Sequence, residues 1–380
     1  MKRRIDTKAV HSGDPRPRLQ GSIVTPIFQT AMYEYNNENR YPNRYIRLNN
    51  TPNQLFLNEK LSALEEAEAA MVMTSGMAAI STTLFSVLAP GGHLLCQEAL
   101  YGGTYDLLTK DFADFGLSYD LIDATKPSSW KDKLKSNTKA IYVESVTNPL
   151  MQVADHKAVV EFAKSHGLVS IIDSTFSSPI NFRPVQIGYD LVLHSCTKYL
   201  NGHSDIVAGA VIGKAELVEK ISHKLNHFGS TLDPHAAFLL NRGLKTLAVR
   251  VRQQNQTALK LAQFLEQHPA LAKVYYPGLE SHPQHQIARE LFDGFGGMLS
   301  FELKNGEEAT KRLLERLEIP TVAPSLGGVE SLIIRPSVTS HSGLTPQERH
   351  RAGISDWLLR LSVGLEAAED LIEDFSQALV

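Results

Sequence analysis

The order of hydrophobic and polar positions changes character twice along the chain. Residues 1–57 have neither a sustained helical period nor an alternating apolar one, which predicts an extended arm. From residue 58 onward, short apolar runs alternate with helical stretches, a pattern typical of a mostly parallel sheet with crossover helices. The apolar runs are AMVMTS, HLLCQ, LSYDLID, KAIYVES, LVSIIDS, YDLVLHS and IVAGAVI. We therefore expect an α/β sheet domain over residues 58–245.

A second pattern begins near residue 246. The helical stretch KTLAVRVRQQNQTALKLAQFLEQH ends at His268-Pro269, and the apolar runs after it are more widely spaced. These runs are GGMLSFEL, ESLIIRP and WLLRLSV, and an amphipathic helix, AAEDLIEDFSQAL, closes the chain. This pattern predicts a smaller α+β domain over residues 246–380.

Composition narrows the classes of partner. A chain of 380 residues with a formal net charge of -3 has no basic character for nucleic acid or anionic membranes. No apolar stretch approaches the ~20 residues of a membrane span. The two cysteines argue against a disulfide scaffold. We expect a cytoplasmic protein that binds small molecules, without nucleic-acid or membrane partners.

Lys198 is the first candidate for chemistry. It follows an apolar run in His194-Ser-Cys-Thr-Lys-Tyr, and ligands of open α/β sheets bind at the carboxyl ends of strands. Burial lowers the pKa of a lysine more readily than that of other side chains, which suits Schiff-base chemistry. Ser195 and Thr197 add hydroxyls for a phosphate. A solvated lysine at a strand end is the simpler explanation of this motif taken alone.

Three other segments end apolar runs with polar residues. Thr-Ser-Gly76-Met77 opens a helix, whose free N–H groups favour an anion. Tyr101 precedes two glycines and offers a ring for stacking. Asp173 follows Ile-Ile, where a carboxylate requires a cationic partner such as a pyridinium nitrogen. Taken one at a time, the three segments have simpler structural explanations: an ordinary strand-to-helix turn for Gly76, packing for Tyr101 and a helix cap for Asp173.

Their order along the chain, with LVLHSCTKYLNGHSDIVAG around Lys198, resembles the trans-sulfuration enzymes of cysteine and methionine metabolism. That group contains cystathionine γ-synthase, cystathionine γ-lyase, cystathionine β-lyase and methionine γ-lyase. The resemblance covers essentially the whole chain. It implies pyridoxal 5'-phosphate (PLP) as cofactor and the aspartate-aminotransferase-like α/β fold of PLP enzymes, fold type I.

The resemblance also implies cofactor contacts. Lys198 would hold PLP as a Schiff base and then act as a base on the substrate. Tyr101 would stack on the ring and relay a proton, and Asp173 would keep the ring nitrogen protonated. The remaining contacts, all with the phosphate, are implied for the backbone of Gly76 and Met77, the hydroxyls of Ser195 and Thr197, and Tyr45 and Arg47 of a neighbouring subunit.

On the substrate side, the resemblance assigns Asn148, Ser325 and Arg360 to an amino-acid substrate, with Arg360 on its α-carboxylate. The shared phosphate site implies at least a homodimer, and the family implies a tetramer. No metal site is expected, because His223 and His227 lie one helical turn apart without a third ligand.

Elimination at a C–S bond of cystathionine-like substrates is our working hypothesis, and γ-replacement on O-acyl-homoserine with cysteine is the alternative. An aminotransferase remains possible on fold grounds, whereas a non-catalytic PLP-binding protein would leave Arg360 without a purpose. Gly103 stands where methionine γ-lyases carry a cysteine. Ile334 stands where cystathionine γ-lyases show a glutamate, and Arg335 beside it could favour an acidic distal group.

Overall fold

The computed structural model describes residues 3–35, 37–38 and 43–379. Within these ranges the strands form a seven-stranded and a five-stranded sheet. The parts of the predicted arm at residues 36 and 39–42 lie outside the described residues. No helix in the described ranges is both long enough and apolar enough to cross a membrane.

Each apolar run predicted in the first domain overlaps a strand of the larger sheet. The strands are β1 (Ala69–Met73), β2 (His93–Gln97), β3 (Ser118–Ile122), β4 (Thr138–Glu144), β5 (Val169–Asp173), β6 (Leu191–Ser195) and β7 (Gly209–Gly213). Their spatial order is β1-β7-β6-β5-β4-β2-β3. Pairs from β6 to β3 are parallel, and β7 runs antiparallel to both β1 and β6. The prediction of an α/β fold with a mostly parallel sheet is confirmed.

The alternation of side chains along these strands fills a core on each face of the sheet. Ile171 and Leu191 belong to one hydrophobic cluster, and their neighbours Ile172 and Val192 belong to another. A sheet buried on both faces explains the continuous apolar runs. The helices before residue 245 are α1 (Ile5–His11), α2 (Pro52–Glu65), α3 (Gly76–Val87), α4 (Gly102–Asp106), α5 (His156–His166), α6 (Ser178–Asn181), α7 (Ala215–Phe228) and α8 (Pro234–Leu244).

The second sheet has its own core. Its strands are β8 (Leu271–Tyr275), β9 (Met298–Leu303), β10 (Thr321–Val322), β11 (Leu332–Ile334) and β12 (Leu359–Ser362), in the order β10-β11-β12-β9-β8. The later helices are α9 (Leu247–Gln267), α10 (His285–Leu291), α11 (Gly306–Arg316), α12 (Pro346–Arg351) and α13 (Ala368–Ala378). The predicted runs match β9, β11 and β12, whereas β8 was not predicted because only its first residue is buried, and β10 because it has two residues, both exposed.

The arm is less extended than the pattern predicts. It contains α1, and α2 begins at Pro52 rather than at residue 58. Thr51 and Gln54 form a capping box around Pro52, a start signal that outweighs the weak apolar period of this segment. The division into an arm and two domains at residues 57 and 245 stays a prediction.

Candidate active site

The site lies at the carboxyl end of the large sheet, and Lys198 is its centre. Lys198 follows β6, and its Nζ donates a hydrogen bond to Ser325 Oγ at 2.8 Å. Burial, with the positive charge of Arg360 as second cause, lowers the pKa of the Lys198 amine to about 8. A substantial fraction of this amine is therefore neutral and nucleophilic near pH 8.

The predicted phosphate turn adjoins Lys198. Gly76 is the first residue of α3, and the N–H groups of such a first turn have no partner within the helix. A Cβ atom at Gly76 would lie 2.8 Å from Ser195 Cβ, so only glycine leaves room there. The Thr197 hydroxyl instead donates to Ala208 O at 3.2 Å and accepts from Ala208 N. The helix start and Ser195 together form a cradle that suits a phosphate.

Asp173 ends β5 beside this cradle. Its carboxyl accepts hydrogen bonds from the backbone N–H of Thr175, at 2.9 Å, and from the Thr175 hydroxyl. Burial raises the pKa of Asp173 despite these bonds. A cation placed against the carboxylate would offset that cost, and a protonated pyridine nitrogen is such a cation.

Tyr101 lies where β2 leads into α4. Tyr101 is 43% exposed, so part of this residue is accessible to a ligand. A Cβ atom at Gly103 would approach Tyr101 Cε1 to 2.6 Å and Met77 Sδ to 2.9 Å. Any side chain at position 103 would therefore displace this ring. Tyr101 and Met77 therefore both lie close to Gly103.

Arg360 on β12 faces Lys198 from the second sheet. Its Nη1 donates to Asn148 Oδ1 at 2.8 Å and its Nη2 donates to Ser325 O at 3.2 Å. Burial lowers the pKa of Arg360 to about 10. Its described acceptors are neutral, and its buried Nε has no hydrogen-bond partner among the described residues. A guanidinium in this state suits the carboxylate of a ligand.

Ser325 connects the two halves of the site. Its hydroxyl contacts Lys198, its carbonyl contacts Arg360, and its φ of 123° is one that non-glycine residues rarely adopt. Strained backbone of this kind persists only where surrounding contacts hold it.

Other predicted residues lie apart from this group. Arg47 Nη1 donates to Asn226 O at 2.8 Å on its own chain, and the guanidinium lies 5.7 Å from the Tyr45 ring centroid. Tyr45 is 40% exposed. Arg335 stacks 4.0 Å from the Trp357 ring centroid, and its Nη2 donates to Asp356 O. Its buried Nε, like that of Arg360, has no hydrogen-bond partner among the described residues, and a role of Arg335 in substrate choice stays a prediction.

Ile334 lies directly across the strand pair from Arg360. Ile334 pairs with Arg360 in the ladder between β11 and β12, and directly paired residues share a face of the sheet. Ile334 is buried. Arg335 lies just beyond the end of β11, where it opens a short 3-10 turn at Pro336–Val338.

Sequence reasoning missed Glu144 and His341. Glu144 ends β4, and its Oε1 accepts the N–H of Tyr101 at 2.6 Å. His341 is buried, its Nδ1 lies 2.9 Å from Ser340 Oγ, and burial lowers its pKa to about 4. An acid that ends an apolar strand was a usable signal for Glu144. His341 had no local signal.

The His223 and His227 rings lie 4.8 Å apart between centroids. Across the residues that the structure describes, no group of three or more His, Cys, Asp or Glu side chains is placed to hold a metal ion.

A lysine and a half-buried aspartate near adjoining strand ends, beside a helix start where only glycine fits, are features typical of a PLP-dependent enzyme of fold type I. The chain belongs to the family described as "Cys/Met metabolism PLP-dependent enzyme", which matches residues 6–380. The resemblance stated from the sequence, the fold and the cofactor are thereby confirmed.

Its relatives differ in activity. Cystathionine beta-lyase of Lactococcus lactis subsp. cremoris (strain MG1363) is 42% identical over 376 residues, which cover 99% of this chain and 98% of the relative. L-methionine gamma-lyase of Fusobacterium nucleatum subsp. polymorphum is 40% identical over 387 residues, with 99% and 98% covered. The crystal structure of cystathionine gamma synthase from Xanthomonas oryzae pv. oryzae has a TM-score of 0.96 at 39% identity, again covering 99% and 98%. This chain is accordingly a trans-sulfuration family enzyme.

Proposed function

We propose that this chain eliminates the sulfur leaving group of cystathionine-like amino acids, with PLP bound to Lys198. The observation that carries the proposal is the chain of contacts from Lys198 through Ser325 to Arg360 and Asn148. These contacts connect the Lys198 amine, whose pKa is lowered, to the Arg360 guanidinium, whose Nε has no hydrogen-bond partner among the described residues. An α-amino acid offers a partner for each of them.

The cofactor contacts follow from the cradle. The N–H groups at Gly76 and Met77 would hold the phosphate, and Ser195 would add a hydroxyl. Bound PLP supplies an electron sink for the charge that develops at the substrate Cα. Asp173 would keep a positive charge at the ring nitrogen, since a buried carboxylate favours a protonated neighbour.

The substrate contacts follow from the second sheet. Arg360 would hold the α-carboxylate through both of its terminal nitrogens, with Asn148 orienting the guanidinium. The Ser325 hydroxyl would keep Lys198 Nζ beside the Cα of a substrate whose carboxylate is held by Arg360. Lys198, with its pKa lowered to about 8, would remove the Cα proton and return a proton later. Tyr101 would take up or deliver the proton of the substrate amine.

The lyase relatives and the γ-synthase relative support different reactions after removal of the Cα proton. Those named lyases, at 42% and 40% identity, favour elimination. The γ-synthase structure, with a TM-score of 0.96, favours the alternative of γ-replacement on O-acyl-homoserine with cysteine.

A substrate panel tests the proposal: cystathionine, homocysteine, cysteine, methionine, and O-acyl-homoserine with cysteine. We expect ammonia and a 2-oxo acid from cystathionine, pyruvate for β-elimination and 2-oxobutyrate for γ-elimination. A new thioether formed only from O-acyl-homoserine and cysteine would replace elimination by γ-replacement. A 2-oxo acid formed only with a keto-acid acceptor would indicate transamination instead.

Assembly is part of the proposal. Ile23, Met32 and Tyr35 of the arm are 74%, 74% and 64% exposed, and a partner subunit would cover such an apolar surface. We propose a homo-oligomer of at least two chains, in which Tyr45 and Arg47 contact the partner's phosphate, in the cytoplasm. Mixing Arg47→Ala and Lys198→Ala chains tests this sharing, because mixed dimers would regain one complete site. Activity of the mixture that stays at the level of its parents would refute it.

A further inference from the structure

We infer that Glu144 is a positioning residue, whose buried carboxyl holds the Tyr101 segment and the Asn148 segment in a fixed mutual arrangement. The inference rests on the proposed function, since Tyr101 and Asn148 have their roles there. It adds a connection between the cofactor side and the substrate side of the site.

The contacts of Glu144 are directed at both segments. Its Oε1 accepts the N–H of Tyr101 at 2.6 Å, and the backbone N–H of Asn148 lies near enough to the carboxyl to lower its pKa. Its own N–H donates to Gln97 Oε1 at 3.0 Å, which holds the end of β4 against β2. Glu144 is 6% exposed. A buried carboxyl that is bonded to one of these segments and faces the N–H of the other has little freedom to move.

Asn148 passes this constraint onward. Its Oδ1 accepts from Arg360 Nη1 at 2.8 Å. Displacing Asn148 would therefore rotate the guanidinium that receives the α-carboxylate. Tyr101, at the other end, would lose the bond that fixes the start of α4 and with it the position of its ring.

The charge state of Glu144 follows from its neighbour. Glu144 and Asp173 pair directly in the parallel ladder of β4 and β5. Burial first, and then Asp173, raises the pKa of Glu144 to about 8. Two adjacent buried carboxyls do not both ionise readily. With Asp173 charged against the cofactor nitrogen, Glu144 would act in its neutral form, as an acceptor for backbone N–H.

Three variants test this role: Glu144→Gln, Glu144→Asp and Glu144→Ala. Glutamine keeps the Oε1 acceptor without a charge, aspartate withdraws the carboxyl by one methylene, and alanine removes it. The matched control is Asp374→Ala, because Asp374 is also a buried carboxyl that accepts backbone N–H groups, from Glu318 and Ile319, but lies in the second domain.

Loss of one such hydrogen bond to a buried acceptor should weaken PLP binding to the apoprotein about tenfold in Glu144→Ala. We expect a similar rise in the KM for the amino-acid substrate, and a smaller circular dichroism band of the bound cofactor. Glu144→Asp should shift in the same direction, and it serves if the alanine variant does not fold. Glu144→Gln should remain within about threefold of wild type on all measures. Asp374→Ala should lower thermal stability only.

Unchanged PLP affinity and cofactor dichroism in both Glu144→Ala and Glu144→Asp would overturn the inference. A Glu144→Gln variant as impaired as Glu144→Ala would contradict the inference that Glu144 acts as a neutral carboxyl. These readouts do not depend on which substrate bond breaks. Failure of C–S elimination with altered affinity and dichroism would therefore refute the proposed function and leave Glu144 in its role.

Discussion

Two regions of this molecule bury a lysine, and only one of them is an active-site candidate. Lys60 is on α2 and reaches the end of α1, where its Nζ donates to the carbonyls of Ala9 and Val10 at 2.9 and 3.3 Å. Lys198 lies at the sheet edge, where its Nζ donates to the hydroxyl of Ser325 at 2.8 Å. Burial is the main cause that lowers the pKa of each amine to about 8.

The difference lies in the partners. Lys60 is fully buried, and its bonds close the end of a helix, so its amine stays where it is. Lys198 contacts a hydroxyl, which can donate as well as accept, and it has Arg360 rather than a carboxylate as its charged neighbour. A lowered pKa therefore marks burial in both regions. Neighbours with unused hydrogen-bonding capacity distinguish the reactive lysine.

Replacing each lysine gives the largest expected contrast. Lys198→Ala should lose activity by at least about 10³-fold, because base and cofactor anchor disappear together. Lys60→Met should stay within about threefold of wild type, since its contacts lie away from the site. Turnover of cystathionine measures both. Equal losses in two folded variants would erase the distinction between the regions.

Buried arginines offer the same contrast at smaller scale. Burial lowers the pKa of both Arg360 and Arg250 to about 10, yet Arg250 donates to the carbonyls of Tyr199 and Gly243. Arg360→Lys should lower kcat/KM about 10²-fold, because lysine cannot bind a carboxylate in bidentate fashion. Arg250→Lys should lower thermal stability with little change in KM. An unchanged KM in Arg360→Lys would contradict the proposed substrate contact.

The buried charge of Lys60 should make stability depend on pH. Its pKa is about 8 in the folded chain and 10.5 ordinarily, so the unfolded chain binds more protons between these values. Stability contributed by Lys60 therefore rises with pH across this window. Relative to Lys60→Met, wild type should gain about 2 kcal/mol between pH 7.5 and pH 10. Urea unfolding of both proteins measures the difference, and parallel curves would show that the amine titrates normally.

The smallest expected effect is a shift in cofactor capture. A neutral amine is needed to bind the aldehyde, so the rate at which apoprotein takes up PLP should rise through pH 8. Arg360→Gln removes the second cause of the lowered pKa, so the midpoint should move upward, while Lys60→Met should leave it in place. Rapid-mixing absorbance measures the midpoint. A midpoint near 10 in wild type would mean that Lys198 is not desolvated.

Local sequence was sufficient for much of this protein. The apolar runs predicted every strand of the large sheet, because a strand buried on both faces requires consecutive apolar residues. The positions of Lys198 and Asp173 at strand ends followed from the same runs. In the second sheet the pattern was weaker, and the partly exposed β8 and the two-residue β10 were missed. The cap at Thr51 was present in the sequence and was overlooked.

The resemblance from sequence named Ser325, Asn148 and Arg360, but only the tertiary structure decided what they contact. Lys198 and Ser325 are 127 positions apart, and Arg360 and Asn148 are 212 apart. The same is true of the partners of Glu144 and of the stacking of Arg335 on Trp357. A residue pattern reports burial and local conformation, because these depend on nearest neighbours in the chain. Which groups meet across two sheets depends on how the two cores pack, and no local pattern encodes that.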